Sequence, residues 1–244
     1  MDRLSLGVRV LEFAHIAVGA GEGLTCTRCA PVRDAGYLPV AEIVARVQAV
    51  ADGWTGRSGP NIVLGGPEPF AHAELPALVA ACVDAGAQRV CLETDGGALS
   101  VRANALGVVR AGVRHLQVRL LDADQERGDL LSGLPGRTRD ALAGVGTYRS
   151  VADELGVRVS ITARVPVCEH NLEALPATVL ALASHGFDGV RLVPAGEMPA
   201  QALAVIAAAC DTGMVNQLWV EADPALPLPE GHALHVVSEA VHRG

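Results

Sequence analysis

Asn61-Ile-Val-Leu-Gly65-Gly66-Pro67-Glu68-Pro69 is the stretch that decides the fold. Its first four residues form a short apolar run, the pattern of a parallel strand covered on both faces. Gly65 and Gly66 then let the chain turn and let a ligand come close to its backbone, and Glu68 offers a carboxylate to an amine. A glycine turn after a strand is ordinary in any α/β protein, so the reading depends on what recurs on either side.

Similar runs lie near Arg9–Val18, Arg89–Leu92, His115–Leu120, Arg158–Val165 and Gly189–Val193. Between them stand segments of helical period near Val40–Ala51, Ala73–Ala85, Val101–Ala111, Thr138–Leu155, Leu172–Ser184 and Ala200–Ala209. This alternation predicts an α/β fold, with parallel strands joined by crossover helices. Gly86, Gly112, Gly156 and Gly186 follow helices at positions suited to the left-handed C-terminal cap. Gln217–Val220 reads as a seventh strand and Gly231–His242 as a closing helix, with Pro224, Pro227 and Pro229 making an extended connector between them. One domain suffices: a barrel-like part over residues 1–196 and an extension over 197–244 packed on it. Ligands of such folds sit at the carboxyl ends of the strands, which points to the loops starting at Val18, Leu64, Leu92, Leu120, Val165 and Val193.

Composition narrows the function. With 244 residues, 50% hydrophobic and 3% aromatic, the chain builds one large core of Ala, Val and Leu. Scattered arginines and a net charge of −8 argue against a nucleic-acid groove. No uncharged apolar run reaches the roughly 18 residues of a membrane span, and Met1–Val10 lacks the order of a signal peptide. A cytoplasmic protein with no membrane partner is the expectation. The chain has no lysine, which excludes Schiff-base chemistry and a lysine-dependent phosphate loop. Cys82, Cys91, Cys168 and Cys210 are isolated in apolar segments, so reduced thiols are expected rather than a disulfide framework.

Cys26 and Cys29 are the two cysteines that stand close together, in Glu22-Gly-Leu-Thr-Cys26-Thr-Arg-Cys29 on the loop after the first strand. In order along the chain follow Gly65-Gly66-Pro67-Glu68-Pro69 and then Thr94-Asp95-Gly96. Taken together, these loops resemble the radical S-adenosylmethionine (radical SAM) superfamily. Leu116–Leu121 with Asp122-Ala-Asp124, Asp129, Gly133 and Pro135-Gly136 looks like the fourth-strand segment of its peptide- and cofactor-maturase branch, and Val165-Pro166 with Asn171-Leu-Glu173 like the fifth. The resemblance covers Arg9 to Val193 and implies a partial (β/α)6 TIM-like barrel open along one side. It further implies a [4Fe–4S] cluster and S-adenosylmethionine. Cys26 and Cys29 fall on the second and third cluster ligands, and Glu22 stands where the first cysteine belongs. Gly65, Gly66, Pro67, Glu68, Pro69, Thr94 and Asp95 fall on the cofactor-facing loops, and Glu68 with the Gly65–Gly66 backbone matches the contact to the cofactor's amino group. Arg119 lies where many members carry a serine near the ribose.

A carboxylate is a harder, weaker donor to iron than a thiolate, which leaves three readings of the loop. In one, Cys26 and Cys29 belong to a loop that has lost its metal. In another, Glu22 or Cys168 completes the ligand set. In the third, Cys26-x-x-Cys29 is a redox dithiol or half of a zinc site, although no second CxxC or CxxH partner follows. The expected functions divide accordingly. One is a non-catalytic partner or scaffold, or weak ligand-binding subunit, serving a catalytic radical SAM subunit or a peptide. The other is an active enzyme with non-standard ligation that cleaves the cofactor and modifies a peptide or small metabolite. His15, His72 and His115 read as hydrogen-bonded structural histidines, while Glu93, Glu169 and His170 are candidates for the barrel mouth.

Overall fold

Among the described residues, short apolar segments spaced by helices become seven parallel strands: β1 Phe13–Ala17, β2 Asn61–Gly65, β3 Arg89–Thr94, β4 Val113–Arg119, β5 Ser160–Val167, β6 Gly189–Pro194 and β7 Trp219–Ala222. They form one sheet in chain order, and every neighbouring pair is parallel. The structure, a computed structural model, describes residues 13–21, 36–56, 58–195, 201–223 and 226. Arg9–Glu12, the proposed connector prolines Pro224, Pro227 and Pro229, and the closing helix Gly231–His242 lie outside the described residues, as do Glu22, Cys26 and Cys29.

The helices are α1 Val40–Gly53, α2 Leu75–Asp84, α3 Arg102–Ala111, α4 Gln125–Ser132, α5 Arg137–Glu154, α6 Leu175–Ser184 and α7 Ala202–Val215. Six match the expected segments. α4 was not foreseen, because Gln125-Glu-Arg-Gly128-Asp carries little apolar pattern. It begins at Asp124, whose carboxylate accepts from the Arg127 backbone N–H at 3.0 Å and so satisfies one of the first-turn donors. Gly128 is required inside it, since a Cβ there would stand 2.2 Å from Thr138 Oγ1 and 3.0 Å from the Asp122 carbonyl. Gly133 then takes φ 69° and ends the helix. Asp129 accepts from the Gly136 and Thr138 N–H groups at 2.5 and 2.9 Å and starts α5. The Asp, Gly and Pro residues after β4 are thus accounted for as caps and turns. Asn171 closes the neighbouring loop: its side chain accepts from Cys168 N at 2.9 Å and donates to the Leu121 and Pro166 carbonyls at 3.0 and 2.6 Å.

The seventh strand starts two residues later than expected. Gln217 sits at φ 57° in the turn that ends α7, so the extended run begins only at Trp219 and pairs with β6 through Gly189–Trp219 to Leu192–Ala222.

The strands bury apolar side chains on both faces only in part: Val63 of β2 and Cys91 of β3 are fully buried on the side away from the helix-packed core, but most of that side is polar. Ile16, Ile62, Leu64, Leu92, Leu116, Val118, Ile161, Ala163, Val190 and Leu192 face the helices in one continuous core. Every second residue turns the other way, and on that face stand His15, Glu93, Gln117, Arg119, Thr162, Arg164, Arg191 and Glu221. One residue inserted in β4 keeps this phase: Val90 pairs with Val113 but Cys91 with His115. Arg114, the extra residue, donates to the Val109 and Val113 carbonyls at 2.7 and 3.0 Å.

The polar face is concave. Strands lie about 4.8 Å apart in a sheet, so β1 and β4 would be about 14 Å apart if it were flat. The rings of Phe13 on β1 and His115 on β4 instead lie 5.8 Å apart between centroids, closing the amino-terminal end of the lumen. The result is a partial TIM-like barrel with helices outside and charge inside. Among the described residues no helix is long and apolar enough to cross a membrane.

Candidate functional site

Glu68 leaves β2 on the Gly65–Gly66 turn, where Gly66 takes φ 91°, and caps the short 3₁₀ turn Pro69–Ala71 by accepting from Phe70 N at 3.2 Å. Its other partners come from the loop after β3. Thr94 Oγ1 donates to Oε1 and the Asp95 N–H to Oε2, both at 2.7 Å. Thr94 Oγ1 also accepts from Gly96 N at 3.1 Å, and Asp95 accepts from Gly97 N at 3.0 Å while pairing with Arg137 of α5. This loop sits hard on α5: a Cβ on Gly144 would fall 2.1 Å from the Gly96 carbonyl oxygen. The loops after β2 and β3, which carry seven of the expected cofactor-facing residues, are therefore one hydrogen-bonded unit.

Arg119 reaches into that unit from the end of β4. Its Nη1 donates to the Gly66 carbonyl at 2.5 Å, and its Nη2 stands 3.4 Å from Glu68 Oε2. The side chain is nearly wholly buried, and the guanidinium takes up both the backbone and the carboxylate acceptor of the Gly65–Glu68 turn. Burial pushes the Glu68 carboxyl above the ordinary carboxylate range, against the opposing pull of Arg119 and of the Thr94 and Phe70 hydrogen bonds.

A second carboxylate, Glu93, lies deeper. His15 Nε2 and Glu93 Oε2 are 2.9 Å apart, while Arg119 Nη1 and Arg164 Nη1 both stand 3.6 Å from Oε1. Burial opposes the charge on Glu93, but the His15 hydrogen bond and the Arg164 and Arg119 cations outweigh it and hold the carboxyl at about 2. His15 on β1 meets Glu93 on β3 across β2 only because Gly65 lies between them. A Cβ there would come within 2.7 Å of His15 Nε2 and 3.0 Å of Glu93 Cβ. Gly65 thus has a reason to be glycine that is independent of any ligand.

The remaining sequence candidates are dispersed. Cys168, just after β5, is buried with Leu121 and Leu131 in a small apolar cluster. Glu169 and His170 pair at 3.3 Å on the rim. His72 is satisfied by the Leu38 carbonyl and the Glu74 N–H, both at 3.1 Å, and burial draws His115 down to about 4. The rest of the concave face was not anticipated. Arg119, Arg164 and Arg191 are register partners across β4, β5 and β6, followed by Glu221 on β7. The alternation Thr162-Ala-Arg164 and Val190-Arg-Leu192 was the available signal.

The implied cofactors can be set against these residues. Glu22, Cys26 and Cys29 supply two thiolates and one carboxylate, one soft donor short of the three that hold an iron–sulfur cluster. Among the described residues no group of three His, Cys, Asp or Glu side chains could hold a metal ion. The acceptors for an incoming ammonium on Gly66 and Glu68 are both engaged by Arg119. As arranged, the residues fit neither group.

The sequence matches no protein-family model and no curated protein. Solved structures share its architecture. SuiB of Streptococcus suis bound to S-adenosylmethionine superposes with a TM-score of 0.64 at 12% identity, over 91% of this chain and 51% of SuiB. SuiB bound to its precursor peptide SuiA gives 0.65 at 13% identity, over 87% and 48%. Methylornithine synthase (PylB) gives 0.63 at 12% identity, over 89% and 66%. The chain thus spans about half the length of SuiB. At these identities the likeness is one of fold, and that fold is the partial barrel of the radical SAM type.

Proposed function

We propose that the chain is a radical SAM-fold protein that does not carry out the cofactor chemistry itself and serves as a partner or scaffold. The observation that carries this reading is the Arg119 guanidinium, bonded to the Gly66 carbonyl at 2.5 Å and set against Glu68 at 3.4 Å. These are the two acceptors that the family resemblance assigns to the cofactor's amino group, so Arg119 supplies internally the cation that a ligand would otherwise bring. A ligand that took these acceptors would break both contacts and leave the buried guanidinium with Glu93 alone, at 3.6 Å and shared with Arg164, which opposes binding. The Glu22, Cys26 and Cys29 donor set points the same way.

A peptide, or a catalytic subunit that handles one, is the partner this reading favours, supported by SuiB having been solved with a precursor peptide. A protein acting in the cytoplasm fits that role. The alternative, an active enzyme with Glu22 or Cys168 as a ligand, is less well supported, because Cys168 is enclosed by Leu121 and Leu131.

Anaerobic reconstitution with iron and sulfide, followed by EPR and an assay for 5′-deoxyadenosine, tests the proposal. The wild-type chain is expected to give no [4Fe–4S] signal and no product, and the Glu22→Cys, Arg119→Ser double variant to gain the cluster signal. Product from the wild type that disappears in Cys26→Ala would overturn it.

A further inference from the structure

The three register-paired arginines are unequally compensated. Like charges side by side across strands destabilise a sheet, and strand neighbours lie about 4.8 Å apart. Arg119 has Glu68 and Glu93 on one side. Arg191 has Glu221 and Asp223 on the other, each at 3.9 Å. Arg164 stands between them. Among the described residues it has no hydrogen bond, and its one ion-pair contact is Glu93 Oε1 at 3.6 Å, an oxygen that Arg119 approaches at the same distance. About a third of its side chain is exposed, whereas Arg119 and Arg191 are almost completely enclosed. Arg164 is thus the guanidinium of this row that a ligand in the lumen can reach.

One residue pair deeper, toward the amino ends of the strands, Gln117 and Thr162 are register partners on the same face. Both are more than nine-tenths buried, with 6% and 5% exposure, and neither side chain has a hydrogen bond among the described residues. Their polar atoms are not among the fully enclosed, unpartnered ones of the described residues, so the pair is open to water or to a polar ligand group in the lumen. The layer holds no carboxylate to receive an ammonium, since the Glu93 oxygens already face His15, Arg119 and Arg164. A neutral hydroxyl is what Gln117 and Thr162 can answer.

We infer that the lumen of the barrel binds a small α-hydroxy carboxylate, its carboxylate on the planar fork of Arg164 and its hydroxyl between Gln117 and Thr162. A single negative charge fits better than a phosphate dianion, because Glu68 and Glu93 border the same space. This goes beyond the proposed function: it requires neither a cluster nor the Gly66–Glu68 acceptors, and it holds whether or not the chain is catalytic.

The test is calorimetric titration of the full chain with lactate, lactamide and inorganic phosphate. Lactate is expected to bind saturably, and both lactamide and phosphate at least tenfold more weakly. Arg164→Gln, with its ligand-free melting temperature measured alongside, should weaken lactate at least tenfold. Thr162→Val, which keeps the shape of the side chain, should weaken it several-fold and serves as the reporter if Arg164→Gln does not fold. No saturable lactate binding by the wild type, lactamide or phosphate binding as tightly as lactate, or unchanged affinity in the variants that fold, would each overturn the inference.

Discussion

The two faces of the same seven strands do opposite work. Toward the helices, Ile62, Leu64, Leu92, Leu116 and Ile161 are fully enclosed in one apolar core. Toward the lumen, the alternate residues hold His15, Glu93, Arg119, Arg164, Arg191 and Glu221, linked by ion pairs and a histidine–carboxylate contact. The outer face supplies stability through area removed from water. The inner face instead holds charge, where a hydrophobic lining of similar volume would often be as stable or more so.

The sharpest break between the faces comes from the outer one. Leu92→Ala is expected to cost about 2–5 kcal/mol, the range for a fully buried leucine, in a urea unfolding measurement; a loss under about 1 kcal/mol would mean that the core does not hold the barrel together. On the inner face, Glu93→Gln removes a carboxylate whose lowered pKa stabilises the folded chain. That stabilisation is present above the unfolded value of 4.5 and is lost as pH falls toward about 2. A shift of this size corresponds to roughly 3 kcal/mol at neutral pH. Comparing wild type and variant across that window should show the difference closing as acid is added, whereas a pH-independent difference would contradict the assignment. Gly65→Ala should cost about 1–3 kcal/mol by overpacking in the same urea measurement, because the added Cβ would come within 2.7 Å of His15 Nε2 and 3.0 Å of Glu93 Cβ; an unchanged midpoint would contradict the role given to Gly65. The smallest effect belongs outside both faces: Arg102→Ala breaks only an exposed pair with Glu154, and its unfolding midpoint should match wild type, since surface pairs are screened by solvent.

This contrast also explains what the sequence revealed. Strand positions were legible because Asn61–Leu64 and Arg89–Leu92 are short apolar runs framed by glycine and proline turns, and Gly86, Gly112, Gly156 and Gly186 do cap helices at positive φ. The inner face was harder to see. Its polar residues are interleaved with Val, Leu and Ile, so the alternation in a segment such as Ser160-Ile-Thr-Ala-Arg-Val was present but short, and the residue inserted at Arg114 disguises the phase in β4. α4 was missed because helix caps, not an apolar stripe, define it. That a long cation at Arg119 could crowd the site or bind a carboxylate was legible from its place in the resemblance, but its partners Gly66 and Glu68 were not, since they depend on how the sheet brings a β4 side chain back to the β2 turn.

The central claim is that Arg119 fills the acceptors of the Gly66–Glu68 turn, and isothermal titration with S-adenosylmethionine measures it directly. Wild type should show no saturable heat, or binding at least tenfold weaker than Arg119→Ser, whose shorter side chain vacates both acceptors. Wild-type binding as tight as that of the variant would contradict it.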